Sequence, residues 1–289
     1  MPENPFQTIG LIVRSRSAGH QAEIALISQA LQQRGEMLVH YLDETACLEG
    51  FPHLPAQTLG ENADLVVSIG GDGTLLAATR LMVDYKVPLV GINLGRLGFL
   101  ADVTMQDLDC HLEGIFNGDY TVEKRFLLQG DVALHNAEGV SQVAFNDIIL
   151  HSHKTVSMIE FEVFTNGQLI NRQRADGLIV TTPTGSTAYS LSGGGPIMHP
   201  TLDVIALVPI CPHTLSHRPI VLPANQTIEI RLAAHHSALV SFDGNTRAIA
   251  GELDRVSVQR YPSEITLLHP SSYDYFNILR SKLKWSNHP

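Results

Sequence analysis

Leu65-Val-Val-Ser-Ile69 runs directly into Gly70-Gly71-Asp72-Gly73-Thr74, and Leu75–Val83 follows with helical spacing. An unbroken apolar run suits a strand covered on both faces, as in a parallel sheet. Three glycines within four positions let the chain turn sharply and let a ligand approach the backbone. The helix that follows offers unsatisfied N–H groups and a positive dipole end, which attract phosphate. A carboxylate in such a loop repels anions, so Asp72 makes sense as the acceptor of a hydroxyl proton or as a ligand of Mg²⁺. The same residues also fit an ordinary βα turn with Asp72 as the helix N-cap.

The surrounding pattern extends this unit. Strand-like Gln7–Arg14, helical Gln21–Arg34, and strand-like Met37–Leu42 and Val87–Ile92 alternate to about residue 115. That alternation predicts a doubly wound α/β domain with a parallel sheet. After Thr121 strand-like stretches succeed one another: Phe126–Leu134, Val143–His151, Met158–Thr165, Gly177–Thr182, Thr227–Leu232, Leu239–Phe242 and Arg255–Arg260. Turn signals such as Asn166-Gly167 and Asp243-Gly244-Asn245 separate them. The predicted organisation is an α/β domain over residues 1–122, a β-rich domain over 123–262, and a C-terminal segment over 263–289.

Charge narrows the function. The net charge is −10, and residues 1–120 carry six basic against 15 acidic side chains. Such a chain is expected to bind neither nucleic acid nor a membrane surface, since both need clustered Lys and Arg. Three scattered cysteines (Cys47, Cys110, Cys211) predict no disulfide framework and a reducing compartment. Neither a secretory signal nor a membrane span is visible, so the expected location is the cytoplasm.

Two further segments carry chemistry. Asp176–Pro196 places hydroxyls at Thr181, Thr182, Thr184, Ser186, Thr187, Tyr189, Ser190 and Ser192 among glycines. Small residues permit close approach, and hydroxyls with free N–H groups bind sugars, amides and phosphates. A long loop of this kind is more often functional than not. Phe145-Asn146-Asp147 opens a strand-like run with two short polar residues, a frequent place for ribose or base recognition, although such pairs are also common turns. Arg96, in a second glycine-rich stretch, could meet a phosphate or be an ordinary loop residue. The 14 histidines show no metal-binding spacing. Cys211 is expected to be buried and inert. P-loop, dinucleotide and protein-kinase fingerprints and the serine-hydrolase elbow are missing.

Taken in order, Gly70–Thr74, Asn93–Leu100, Lys124-Arg-Phe-Leu127, Asn146-Asp147, Asp176–Pro196, Pro212–Pro219 and Tyr273-Asp-Tyr-Phe276 resemble the NAD kinase family over roughly residues 5–286. The resemblance implies an NAD kinase/diacylglycerol kinase-like fold: an α/β N-terminal domain, a β-sandwich-like C-terminal domain, and a C-terminal segment returning to the first. It implies transfer of the γ-phosphoryl of ATP to the 2′-hydroxyl of the adenosine ribose of NAD, with a divalent cation such as Mg²⁺. Asp72 looks like the general base, and Asp72 and Gly73 like dinucleotide contacts. Asn146 and Asp147 correspond to a pair holding ribose and base; most relatives carry Glu where Asp147 stands. Arg174 and Asp176 correspond to positions beside the nicotinamide half. Thr187, Ala188, Tyr189, Ser190, Leu191 and Ser192 correspond to a pocket wall, and Asn245 to a further contact. The resemblance also implies a homo-oligomer, a dimer or tetramer, and assigns no metal ligands.

Lipid kinases and phosphofructokinases share a Gly-Gly-Asp-Gly turn. This acidic chain has no membrane-facing element and few arginines before residue 120. A non-catalytic NAD(P) sensor is a further alternative, and Asp72 speaks against it, because a pure binder has no use for a carboxylate beside phosphates.

Overall fold

The computed structural model describes residues 5–14, 19–43, 48, 50–95, 98–135, 137–153, 157–214 and 216–285. It divides into two units, Met1–Lys124 with Ile265–Pro289, and Arg125–Glu264.

The first unit is built from β1 (Thr8–Val13), α1 (Gln21–Gln32), β2 (Glu36–Tyr41), α2 (Ala56–Asn62), β3 (Leu65–Gly70), α3 (Asp72–Met82), β4 (Leu89–Asn93), β5 (Val103–Thr104) and α4 (Leu108–Phe116). The strands lie parallel in the order β2-β1-β3-β4, with β5 beside β4. Leu65–Ile69 is buried throughout, as its unbroken apolar run requires. Ile9, Leu11, Val67, Ile69, Val90 and Ile92 share one core with Ile24, Ile27 and Leu31 of α1 and Leu112 and Ile115 of α4. The chain leaves β1 toward β2 and returns on the other side of β1 as β3. The carboxyl ends of β1 and β3 therefore flank the reversal of strand order, where open α/β sheets bind ligands. Helix α2 was not legible: its seven residues, Ala-Gln-Thr-Leu-Gly-Glu-Asn, show no apolar period. Helix α3 starts at Asp72, three residues before the expected Leu75, and Gly71 holds the N-cap position. The alternative of Asp72 as N-cap is thereby corrected.

The chain enters the second unit along β6 (Tyr120–Ala133) and continues through β7 (Val140–Ala144), β8 (Asp147–Ser152), β9 (Ile159–Thr165), β10 (Gln168–Ala175) and β11 (Gly177–Thr181). A 3₁₀ turn (Thr184–Thr187) and the helical turn α5 (Tyr189–Ser192) follow. Next come β12 (Val204–Ile210), β13 (Ile220–Pro223), β14 (Ile228–Leu232), β15 (Ala238–Phe242), β16 (Asn245–Ala250) and β17 (Arg255–Pro270). One antiparallel sheet runs β13-β12-β11-β8-β15-β16. A second set of antiparallel pairs joins β10, β9, β14 and the start of β17, and β6 pairs with β7. Alternation along β8 explains the packing. Ile148 and Leu150 point into a core with Phe161, Val163, Leu178, Val180 and Phe242, while Ile149 joins Ile179, Met198 and Val208 on the opposite face.

Three expectations change here. Val143–His151 is not one strand: it breaks at 145–146 into β7 and β8. Beyond the expected strand, realised as Gly177–Thr181, the segment 176–196 is not an open loop but a 3₁₀ turn and a helical turn, with Thr181–Ser186 all buried. The strand opening at Arg255 does not stop at Arg260; it runs to Pro270, and Leu267 pairs with Leu89 in the first unit. That unit is completed by α6 (Tyr275–Leu283), capped by the Asp274 carboxylate, which accepts from the N–H groups of Phe276 and Asn277. No helix among the described residues is long and apolar enough to cross a membrane.

Candidate functional site

Two clusters gather the predicted residues, one in each unit. In the first, Gly70 ends β3 at φ +156°, and a Cβ there would fall 2.2 Å from Thr74 Oγ1. Only glycine lets the strand turn into α3 this tightly. The Asp72 carboxylate does not point along its own helix but to the loop beyond β4. Its Oδ2 accepts the Phe99 N–H at 2.9 Å, and its Oδ1 accepts the N–H groups of Leu100 and Ala101, each at 3.1 Å. This loop folds on itself: Gly98 N–H donates to the Ala101 carbonyl at 3.3 Å, which also accepts from Asn93 Nδ2 at 3.5 Å. Leu94 N–H donates to the Gly70 carbonyl at 2.9 Å, so the two loops brace each other. A carboxylate offers about four acceptor positions. Three are used here, and the fourth lies on Oδ2.

Gly73 sits beside Arg14, whose Nη1 would lie 4.0 Å from a Cβ at that position. Arg14 follows β1, so a cation stands where the strand order reverses. It was missed in the sequence, although its place at the carboxyl end of the first strand is a usable signal. Arg96 lies outside the described residues.

The second cluster is organised by Asp243, which sequence reasoning took only as part of a turn. Its carboxylate accepts the N–H groups of Phe145 at 3.0 Å, Asn146 at 2.8 Å and Asp147 at 3.3 Å. These bonds are what break the strand expected across Val143–His151. The Asn146 carbonyl accepts the Thr182 N–H at 2.9 Å and the hydroxyls of Thr181 and Thr182 at 3.1 and 3.2 Å. A Cβ on Gly185 would lie 2.2 Å from that carbonyl, so glycine is needed for the 3₁₀ turn to close over it. Ser186 Oγ donates to the Pro183 carbonyl at 2.6 Å and accepts the Met198 N–H at 3.0 Å. Buried Arg125, quoted in the sequence only within Lys124–Leu127 and given no role there, donates to Thr184 Oγ1 at 3.2 Å.

This scaffold leaves particular groups waiting. Asn146 Oδ1 and Ser190 Oγ are buried with no hydrogen-bond partner. Buried acceptors and hydroxyls are normally satisfied, so each calls for a partner from outside. Asp147 is only 3% exposed. Burial, and then the charge of Asp243, push its carboxyl up to about 7. It can therefore carry a donating O–H near neutral pH.

The remaining predicted residues lie around these. Asn245 is exposed at the start of β16, with Nδ2 3.4 Å from the Asp243 carbonyl. Asp176 is half-buried between β10 and β11, its main chain bonded to Ile210 and Ser152. Tyr189 and Ser192 are exposed, while Thr187, Ala188 and Leu191 are half-buried. Arg174 pairs with Glu160 across the β9–β10 ladder at 3.9 Å, in a groove of about 600 Å³ that Arg172, His217 and Arg231 also line. Cys211 is not buried: it is exposed in a left-handed conformation (φ 46°) at the end of β12. Among the described residues no three His, Cys, Asp or Glu side chains are placed to hold a metal ion.

Both units match known protein domains. Residues 53–120 match the ATP-NAD kinase N-terminal domain, and residues 145–269 the ATP-NAD kinase C-terminal domain. An NAD kinase of Chromobacterium violaceum is 43% identical over 285 residues, covering 98% of each chain. One of Azoarcus sp. is 44% identical over 290 residues, with the same coverage. Yeast NADH kinase, solved with NADH, superposes with a TM-score of 0.85 at 26% identity, over 99% of this chain and 90% of that one. An Archaeoglobus fulgidus NAD kinase, solved with ATP, gives 0.73 at 26% identity, over 96% and 98%. With two domain models matched in order and close relatives along nearly its whole length, the chain belongs to the NAD kinase family, the enzymes that phosphorylate NAD to NADP.

Proposed function

We propose that this chain transfers the γ-phosphoryl of ATP to the 2′-hydroxyl of the adenosine ribose of NAD, with Asp72 as the general base. The observation that carries the assignment is the holding of Asp72 by three backbone N–H groups, which leaves one acceptor position on Oδ2. The 2′-oxygen attacks the γ-phosphorus in line. The new O–P bond forms as the bond to the β–γ bridging oxygen breaks, ADP leaves with that electron pair, and the hydroxyl proton passes to Asp72 Oδ2. The protein needs no covalent intermediate for this; positioning and charge stabilisation suffice. The first turn of α3, beginning at Asp72 and Gly73, adds the favourable end of a helix dipole for the phosphates.

Beyond the contacts of Asp72 and Gly73, dinucleotide binding falls to the second unit. Asn146 and Asp147 hold ribose and base, Arg174 and Asp176 stand beside the nicotinamide half, and Thr187–Ser192 with Asn245 form the wall. The two unpartnered buried atoms, Asn146 Oδ1 and Ser190 Oγ, support this reading. Among the described residues no group of three His, Cys, Asp or Glu side chains builds a resident metal centre. In this reading Mg²⁺ enters with the nucleotide, held largely by the ATP phosphates. We take the protein to act in the cytoplasm as a homo-oligomer.

The test is direct. Purified chain mixed with ATP, Mg²⁺ and NAD should produce NADP. Tight NADP binding without product would replace the kinase with a sensor.

A further inference from the structure

Behind the loop that holds Asp72 lies a buried charged cluster that the chemistry above does not use. His269, near the end of β17, is 2% exposed. Its Nδ1 lies 2.9 Å from Asp102 Oδ2 and its Nε2 3.2 Å from Glu123 Oε2. The ring stacks on Tyr273, with centroids 4.0 Å apart and planes at 15°. Next along the chain, Ser271 and Ser272 reach Asp119 and His111. A neutral imidazole donates from one nitrogen only and would set a lone pair against the second carboxylate. The imidazolium donates from Nδ1 to Asp102 and sets its positive charge against both carboxylates.

A buried ionic cluster of this kind is weak evidence for stability, because desolvation offsets its attraction. Its location is more informative. Asp102 directly follows Ala101, whose N–H is one of the three holding Asp72. Ala101 packs so closely on β4 that a Cβ at Gly91 would lie 2.9 Å from its Cα. The segment 99–101 is thus held by packing on one side and by the side chain of the next residue on the other.

We propose that His269 is a positioning residue for the phosphoryl transfer: bridging Asp102 and Glu123, it fixes the backbone N–H groups of Phe99, Leu100 and Ala101 that aim the Asp72 carboxylate. The proposal rests on Asp72 being the base. Burial by itself pulls the imidazole pKa down, but hydrogen bonds and charge from Asp102 and Glu123 outweigh it and leave it raised. The positioning is therefore complete below that raised pKa and is lost as pH rises through it, which gives kcat an alkaline decline.

The experiment compares the full chain with His269→Asn, Asp72→Asn and the double variant. His269→Asn should lower kcat by about 10- to 100-fold, the usual effect of misplacing a reacting group by about 1 Å. KM for ATP and NAD should stay within about two-fold, and the alkaline decline should disappear. In the Asp72→Asn background the second substitution should lower kcat no further. Unchanged kcat in His269→Asn with a dead Asp72→Asn overturns this proposal alone, as does an equal loss in both backgrounds. An active Asp72→Asn removes the base and this proposal with it. If His269→Asn does not fold, Asp102→Asn takes its place with the same readouts; failure of both to fold marks a purely structural cluster and overturns the proposal.

Discussion

Gly98 lies so close to Asp72 that a Cβ on it would fall 2.0 Å from Asp72 Oδ1 and 2.8 Å from Cγ. The carboxylate and the loop that holds it cannot both keep their places if that position gains a side chain. Gly98→Ala should therefore displace the Asp72 carboxylate and lower kcat by roughly 100-fold. KM for both substrates should change less than kcat, because the other dinucleotide residues, Asn146, Asp147, Arg174, Asp176, Thr187–Ser192 and Asn245, lie in the second unit. Initial-rate kinetics check this, and an unaltered kcat would show that the held orientation of Asp72 is not needed.

Asp72→Asn keeps the size of the side chain and removes the proton acceptor. General bases contribute about 10²- to 10⁴-fold. Turnover should fall by that range while NAD affinity, measured by calorimetry, stays within a few-fold. Near-normal turnover would take the base role from Asp72.

Asp147 predicts a pH dependence of stability. Its carboxyl is raised from 3.8 to about 7 in the folded protein, by burial first and by Asp243 second. Between those values the folded state binds the proton that the unfolded chain has released, so stability falls as pH rises through this window. The bound on the effect is roughly 4 kcal/mol, complete above pH 7. Asp147→Asn removes the titration. Urea unfolding should find the variant more stable than the parent at pH 8 and little different at pH 4; parallel curves for the two proteins across that range would contradict the raised pKa.

Arg174 and Glu160, 3.9 Å apart, are both more than half exposed. Such a pair is worth at most about 1 kcal/mol. If Arg174 stands beside the nicotinamide half, Glu160 screens it from the positive ring of NAD. Glu160→Gln should shift the NADH-to-NAD ratio of kcat/KM toward NADH by about two- to five-fold. A ratio that does not move would place the nicotinamide away from Arg174.

The parts of this molecule that were legible in the sequence are those set by local chemistry. The apolar run Leu65–Ile69 marks a doubly covered strand, and three glycines mark the turn at its end. The hydroxyl-rich stretch after Asp176 is conspicuous in the sequence, but its folding into buried turns is not. What escaped is set by distant partners. Strand β10, Gln-Leu-Ile-Asn-Arg-Gln-Arg-Ala, is too polar to read as a strand and is held by its pairing with β9. Pro262 suggests a break in β17, yet the strand continues through it, between residues paired with β14 and Leu267 paired with β4. The partners of Asp72 lie 27 to 29 residues away, and Asp243 caps residues nearly 100 positions before it. No periodicity reports such contacts, which is why Asp72 stood out in the sequence but the loop that holds it did not.

Asn146 offers the sharpest separation of binding from folding. Its backbone ties β8 to the 3₁₀ turn, but its side-chain Oδ1 is buried with no partner. Removing a satisfied buried polar group destabilises a protein by about 1–3 kcal/mol, whereas an acceptor with no partner already carries its desolvation penalty. Asn146→Ala should therefore leave the unfolding midpoint nearly unchanged, the lost penalty offsetting lost packing. It should weaken NAD binding at least ten-fold, since the ligand then loses the donor–acceptor contact this oxygen awaits. Calorimetric titration with NAD and thermal unfolding of the same preparation give both numbers. A large drop in melting temperature with unchanged affinity would make Asn146 a structural residue and remove it from the dinucleotide pocket.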